Sequence, residues 1–257
     1  LLLCCGAPAA ENGRILMVTE ATFPPYEFRD GNAILGIDPE IMREVARRTG
    51  RELVIEDMSF DSVITAVVSG KADVAASVIT VTPERRRKVD FSIPYVEAAQ
   101  VIIVPKGSPI RKREDIRGKR IGVQHGATGD IYVTRNIQQP ERFPNGALAV
   151  AAVAAGKVDA AVIDQDPATM YVAGNDRLEI LPEPLTSESY AIAVRKGDTA
   201  LLQDINGTIA ALKASGKLEE IRNAYAAMQV KSATGPEQHA SGGGWLENIW
   251  LNLKESF

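Results

Sequence analysis

The chain has 257 residues, 45% hydrophobic and 24% charged, a balance typical of a globular protein with a sizeable core. This length exceeds what one α/β core usually needs and is sufficient for two lobes of ordinary domain size. The net charge of −4 disfavours a nucleic-acid partner, and the presence of only two histidines disfavours a histidine-rich zinc site. The only cysteines are the adjacent Cys4 and Cys5, so the rest of the chain offers no thiol chemistry. No cofactor is expected.

The first residues resemble the end of an export signal. Leu1–Leu3 is apolar, and Ala7-Pro8-Ala9 resembles an A-x-A cleavage site. Cys4 or Cys5 leaves a lipid anchor open, and an unrelated chain end is the plain alternative. We assign residues 1–13 to a signal or anchor remnant. This assignment predicts an extracytoplasmic location, in the periplasm or at the outer face of the cytoplasmic membrane.

The N-terminal part alternates predicted strands and helices. Strands are expected at 14–19 and 52–55, separated by a proline-rich loop at 23–26. Asp38 is predicted as the N-cap of a helix, with Pro39 at its first position, and that helix ends at Gly50. A further helix is predicted to begin near Asp61.

Two stretches of the chain resemble each other. Each has a helical Ala/Val-rich run, a Gly-Lys turn, an Asp and a short apolar strand, at 64–80 and 149–164. Gly70 and Gly156 suit the left-handed residue that follows a helix. The alternative is that Gly-Lys-x-Asp is merely a frequent loop sequence. If the repeat is real, it predicts two α/β lobes that each direct a strand end at a shared cleft.

The remaining elements complete the second lobe and return to the first. Thr82 is a plausible N-cap with Pro83 behind it, 100–104 and 190–194 are candidate crossing strands, and one or two C-terminal helices break at 215–216. The predicted domains are lobe 1 (14–104 plus 190–230), lobe 2 (105–189), a linker (231–244) and an amphipathic tail (245–257). The tail is too short and polar to span a bilayer.

These residues resemble the family 3 extracellular solute-binding proteins, the amino-acid receptors of ABC importers. The resemblance covers about 14–228 and is strongest at 79–95, which reads ITVTPERRRKVDFSIPY. Further matches are 19–28, 122–129 and 159–164. The resemblance implies a two-lobed periplasmic-binding-protein-like fold (type II), with two α/β domains joined by two crossing strands. It also implies a receptor without catalytic activity.

The resemblance also implies roles for individual residues around a free amino acid. Arg85 would offer a bidentate fork to the ligand carboxylate. Thr80 and Thr128 would add donors from the two lobes, and Asp164 would pair with the ammonium. The implied ligand-binding residues are Glu20, Phe23, Phe60, Val78, Thr80, Arg85, Gln124, Thr128 and Asp164.

The choice of ligand would depend on the far end of the cleft. Phe23 and Phe60 match positions that sandwich the ligand side chain, and Glu20 faces its distal end, with Gln124 and His125 nearby. A carboxylate at Glu20 favours a cationic or amide-bearing side chain. The sequence departs from the family at Val78, where Gly or Ser is frequent, and at Ala127, where Thr or Ser is common.

Each of these residues has a simpler interpretation. Arg85 lies in a basic run that could be a solvated helix face, and Asp164 or Thr128 could be a helix cap. The phenylalanines could be plain core, Glu20 could be exposed to solvent or bonded to a loop amide, and His125 is more simply structural.

The expected partners are a free amino acid and an ABC permease, separate from this chain or fused to it. Membrane association would come through that partner, the tail or a lipid anchor. An exported dehydratase-like enzyme on the same fold and a ligand-sensing module remain alternative functions.

Overall fold

The structure is a computed structural model that describes residues 13–234, with side chains described for 13–227. The predicted signal remnant (except its last residue), most of the linker and the whole amphipathic tail lie outside the described residues. Within the described part of the chain, no helix is long and apolar enough to cross a membrane.

The strands of the described chain are β1 (Arg14–Thr19), β2 (Thr22–Phe23), β3 (Glu27–Asp30), β4 (Ala33–Leu35), β5 (Glu52–Asp57), β6 (Val74–Ala75), β7 (Val89–Phe91), β8 (Val96–Ala98), β9 (Gln100–Pro105), β10 (Ile121–Gln124), β11 (Glu141–Phe143), β12 (Ala160–Asp164), β13 (Leu178–Ile180), β14 (Glu188–Tyr190) and β15 (Ala193–Arg195). The helices are α1 (Ile37–Thr49), α2 (Phe60–Val68), α3 (Pro83–Arg86), α4 (Thr128–Asn136), α5 (Gly146–Ala154), α6 (Gln165–Ala173), α7 (Thr199–Ala214) and α8 (Lys217–Thr234), with a short 3₁₀ helix at Arg113–Ile116.

Each lobe is built on one five-stranded sheet, and the two sheets share one topology. Lobe 1 has the order β5-β1-β6-β15-β7, and lobe 2 has the order β11-β10-β12-β9-β13. In each sheet the first three strands are parallel, and the fourth runs antiparallel to both of its neighbours. The predicted two-lobed α/β fold is therefore confirmed.

Helices cover both faces of each sheet, so neighbouring residues of a central strand point into different core clusters. Met17 packs on the face that also buries α1 and α7, whereas Val18 packs on the face that buries α2. In lobe 2, Ile103 and Ile102 divide in the same way. This double burial explains why the central strands are continuously apolar.

The chain crosses between the lobes at a small antiparallel pair of strands, β8 and β14, in which Tyr190 lies opposite Val96. The predicted crossing strands differ from this arrangement. Residues 100–104 were expected in lobe 1, but β9 lies within the lobe 2 sheet. The segment 190–194 divides between β14 and β15. An apolar run shows that a strand is buried, but it carries no information about which of two similar sheets accepts the strand.

The two repeated units occupy equivalent places in the two sheets. Gly70 follows α2 with φ +77°, and Gly156 follows α5 with φ +70°, so both adopt the predicted left-handed conformation. Each unit then supplies the third strand of its sheet, β6 or β12. These strands end toward the region between the lobes.

Helix termini agree with the sequence at some positions and differ at others. Thr82 is the N-cap of α3, because its hydroxyl accepts the amide of Arg85 at 3.1 Å. Asp38 was expected to cap α1, but that helix begins at Ile37 and Asp38 is buried in its first turn. The C-terminal helices do break at 215–216, and α8 continues to Thr234, into the first part of the predicted linker.

Candidate functional site

A cleft lies where the two lobes meet. It is lined by Glu20, Phe23, Glu27, Phe60, Val78, Thr80, Arg85, Gln124, Ala127, Thr128 and Asp164. The structure thus brings all nine residues of the sequence-based site into one cavity, and adds Glu27 and Ala127. Their contact with a ligand stays a prediction.

Arg85 is the buried member of its basic run, since Arg86, Arg87 and Lys88 are exposed. The solvated-face alternative therefore does not hold for this residue. One guanidinium nitrogen donates to the carbonyl of Thr80 at 2.9 Å, and the other reaches the carbonyl of Gly126 in lobe 2 at 3.2 Å. Burial lowers the pKa of Arg85, whereas nearby acidic charges raise it. The group remains a cation because an arginine pKa is so high.

The hydroxyls of Thr80 and Thr128 come from different lobes and meet at one acceptor. Each donates to Oε2 of Glu188 at 2.8 Å. Thr186 donates to the other oxygen of the same carboxylate at 2.8 Å. Thr128 is the first residue of α4 and not its N-cap, which is Ala127. These donors therefore converge on a carboxylate supplied by the protein itself.

Asp164 ends β12 and is buried in the cleft. Its Oδ1 accepts a hydrogen bond from the hydroxyl of Tyr190 at 2.6 Å. Burial raises the pKa of Asp164 to about 6, although the Tyr190 hydrogen bond opposes this effect. Asp164 precedes α6, yet its side chain makes no capping hydrogen bond. A capping role for its side chain is therefore not observed.

Glu20 is also buried, which removes the solvent-exposed alternative. Its carboxylate accepts the hydroxyl of Thr22 and the amide of Gln124 at 3.0 Å. Since Gln124 belongs to lobe 2, this second contact joins the lobes. Burial raises the pKa of Glu20 to about 7, and the two hydrogen bonds lower it. A cation beside this group would favour its ionised form.

The aromatic and small residues form the side walls. The ring of Phe60 lies 5.4 Å from the guanidinium carbon of Arg85, a distance at which a cation–π contact is favourable. Phe23 is 3% exposed and also belongs to the lobe 1 core, so the core interpretation holds for it alongside its place in the cleft.

Val78 lines the cleft, but its backbone amide is bonded within the protein, and His125 lies at the rim of the cleft. Val78 has φ +42°, which is unusual for a β-branched residue, and its amide donates to Asp38 at 3.0 Å. That amide is therefore already bonded within the protein. His125 is exposed at the rim, where its ring nitrogen lies 3.5 Å from Asp61 of the opposite lobe.

Besides Ala127, three polar residues in or next to the site were absent from the sequence-based set. Glu27 follows the proline-rich loop, and Glu188 and Tyr190 belong to the crossing strand β14. Glu27 lay inside a matched segment without an assigned role. Glu188 and Tyr190 could have been found from their place at or next to a predicted crossing strand, because a strand between the lobes must pass behind the cleft.

Comparisons with known proteins agree with this architecture. The model of the bacterial extracellular solute-binding proteins, family 3, matches residues 15–228. The arginine-binding extracellular protein ArtP of Bacillus subtilis (strain 168) is 32% identical over 236 residues, which cover 87% of this chain and 92% of that protein. A probable histidine-binding protein of Neisseria gonorrhoeae is 32% identical over 234 residues, which cover 87% of each chain.

A solved structure shows the same likeness in three dimensions. The P235GK mutant of ArgBP from T. maritima is similar with a TM-score of 0.80 and 42% identity, covering 84% of this chain and 96% of that one. This likeness and the family match cover most of both chains. The chain therefore belongs to the bacterial extracellular solute-binding proteins, family 3.

Proposed function

We propose that this protein binds a free L-amino acid with a cationic side chain, arginine first among them, outside the cytoplasm and delivers it to an ABC permease. Residues from both lobes line the cleft, so a ligand that contacts both favours the closed arrangement of the lobes. The ordered steps are capture, closure and release to the permease.

One observation carries this proposal: the cleft buries one cation, Arg85, close to Asp164, and it also buries the carboxyl groups of Glu20 and Glu27. Asp164 lies close enough to Arg85 for its charge to raise the pKa of the guanidinium. The charge on Glu20 acts instead on Glu27, whose pKa it raises. Arg85 and Asp164 would bind the two charges of the amino-acid head group, and Glu20 would bind the cationic end of the side chain.

The names of relatives support the same ligand class. ArtP is named as arginine-binding, and ArgBP from T. maritima has been solved in an arginine-bound form. An ancestral arginine-binding protein bound to arginine has a TM-score of 0.78 with this chain. Other relatives are named for histidine, cystine and glutamine, so family membership alone does not choose the side chain. The buried Glu20 carboxylate is the feature of this chain that favours a cation.

Binding without turnover is proposed because the family consists of solute-binding proteins. Membrane association, through a separate or fused permease or through a lipid anchor, belongs to the same proposal. The dehydratase and sensing alternatives have no comparable support from the matched relatives.

Isothermal titration calorimetry with four ligands tests this proposal. L-Arginine should bind tightly, whereas L-citrulline, which replaces the guanidinium by a neutral group, should bind at least about tenfold more weakly. Agmatine, which lacks the carboxylate, should lose most of the affinity because Arg85 has no partner in it. L-Leucine should not bind. Absence of arginine binding at millimolar concentration would overturn the proposal, and equal affinity for arginine and citrulline would reject the cationic specificity.

A further inference from the structure

Glu27 is a fully buried carboxyl group in the wall of the cleft, with a relative exposure of 0%. Its Oε1 accepts the hydroxyl of Ser77 at 3.2 Å. Its Oε2 is buried and has no hydrogen-bond partner within the described structure. Buried polar atoms nearly always have a partner, so an unpaired carboxylate oxygen in a binding cleft calls for a donor from outside the protein.

The groups that face Glu27 are acidic. Asp38 in α1, Glu20 after β1 and Asp164 at the end of β12 each act electrostatically on it. The phenols of Tyr95 and Tyr171 also lie close enough for its charge to raise their pKa values. Burial first, and then these negative neighbours, raise the pKa of Glu27 well above its ordinary value. These effects favour the protonated form of Glu27 in the ligand-free cleft, whereas a cation beside it would favour the carboxylate.

We propose that Glu27 is a second recognition carboxylate of the cleft, and that a ligand with a cationic side chain binds with release of the proton that Glu27 otherwise carries. This inference rests on the proposed binding of a cationic amino acid. The balance is simple: the ligand enters as a cation, the Glu27 carboxyl becomes a carboxylate, and one proton leaves to solvent. A guanidinium cannot supply that proton itself, because its pKa lies above about 12.

Glu27 is well placed to act together with Glu20. The hydroxyl of Ser77 donates to Glu27, and its oxygen accepts the amide of Glu20 at 3.0 Å. Ser77 therefore joins the backbone of Glu20 to the carboxyl group of Glu27, and the charge of Glu20 acts on Glu27. Two carboxylates can satisfy more of the five donors of a guanidinium than one can, whereas a neutral ureido group gains no charge pairing from either.

Proton release separates this role from a structural one. Wild-type protein is titrated with L-arginine and with L-citrulline at about pH 8, in phosphate and in Tris. The two buffers differ in ionisation enthalpy, so the difference in heat gives the number of protons released. At that pH Glu20 is largely ionised, since its pKa is about 7. The two ligands share the same head group, so the protons released or taken up through head-group binding cancel in the comparison. We expect arginine to release more protons than citrulline.

The variant Glu27→Gln should abolish this excess release and reduce the arginine-to-citrulline affinity ratio by about tenfold or more. Glu219→Gln, an exposed substitution on α8, is the matched control and should change neither quantity. Unchanged proton release and an unchanged ratio in Glu27→Gln would overturn the inference. If that variant does not fold, the comparison of arginine with citrulline in the wild-type protein still tests the inference. Equal proton release by the two ligands would overturn it without any variant. Failure of arginine to bind wild type would instead overturn the proposed function, whereas arginine binding without excess release overturns only this inference.

Discussion

The hydroxyl of Tyr190 donates a 2.6 Å hydrogen bond to Oδ1 of Asp164. Tyr190 lies in the crossing strand β14, and Asp164 ends a strand of lobe 2. The connection between the lobes therefore orients the carboxylate that we propose as the partner of the ligand ammonium. A side-chain hydrogen bond from Gln100 also favours the ionised form of this carboxylate.

Removing this hydrogen bond should weaken amino-acid binding. In Tyr190→Phe, Asp164 loses a donor that lowers its pKa, so a larger fraction of the group is protonated near neutral pH. A hydrogen bond to a charged group contributes about 1.5–3 kcal/mol, so the Kd should rise about 10- to 100-fold. The loss should be larger at about pH 6 than at about pH 8. Tyr225→Phe, whose hydroxyl contacts Glu40 instead, is the control for calorimetry. Equal affinities in the two variants would contradict the role given to Tyr190.

A lysine ammonium should not replace the forked guanidinium of Arg85 in ligand binding. Arg85→Lys keeps the positive charge but cannot make two parallel hydrogen bonds to a carboxylate, so the Kd for arginine should rise at least about 100-fold. Arg86→Lys makes the same exchange on the exposed side of α3 and should leave binding unchanged. A fluorescence or calorimetric titration of both variants measures the difference. Binding of wild-type strength in Arg85→Lys would remove this residue from the site.

Glu188 should compete with the ligand carboxylate for Thr80 and Thr128. Both hydroxyls already donate to its Oε2. A second carboxylate at the same donors would meet an unfavourable like charge. Glu188→Gln removes that charge and should therefore tighten ligand binding, by about two- to tenfold. Added salt should reduce this gain, because it screens the repulsion in the wild type. A weaker affinity in Glu188→Gln would show that this carboxylate supports ligand binding.

The stability of the ligand-free protein should fall as the pH rises toward neutrality. Burial raises the pKa of Glu20 from 4.5 to about 7, and those of Asp38 and Asp164 from 3.8 to about 6. Between these ordinary and raised values the folded protein binds more protons than the unfolded chain, so the free energy of unfolding decreases with increasing pH. A shift of about two units in one group corresponds to about 3 kcal/mol.

Calorimetric melting curves check this prediction. The Tm without ligand should be lower at about pH 8 than at about pH 5, and saturating arginine should raise it more at the higher pH. Glu20→Gln should flatten the pH dependence. A Tm that rises steadily from about pH 5 to pH 8 without ligand would contradict the burial of these carboxylates in a protonated form.

Local structure was predictable where a residue's own chemistry determines it. Thr82 with Pro83 started a helix as expected, and Gly70 and Gly156 adopted the left-handed conformation that follows a helix. Asp38 was wrongly predicted as a cap, because the sequence does not show that the phenol of Tyr95 donates to it at 2.6 Å. A buried long-range partner outweighed the local preference of aspartate for a helix N-terminus.

The assignment of strands to lobes was less predictable. An apolar run such as that of β9 fits a central position in either sheet, and only the antiparallel pairing of Ala161 with Ile103 places it in lobe 2. The resemblance identified the segments that form the cleft, but it gave no role to Glu27. Nothing in the local pattern shows that one oxygen of this carboxyl group remains unpaired.

The two α/β lobes, the repeated helix–turn–strand units and the residue types available for a zwitterion were predictable, because they depend on periodicity, turn chemistry and side-chain charge. Three other features are visible only in the folded protein. Arg85 is the buried cation of its run, Glu188 accepts from both Thr80 and Thr128, and Ser77 joins the backbone of Glu20 to the carboxyl group of Glu27. Burial and hydrogen bonding between residues far apart in the chain depend on how the two lobes meet. Those contacts also shift the protonation of the cleft's carboxyl groups, and so control the charge that a ligand encounters.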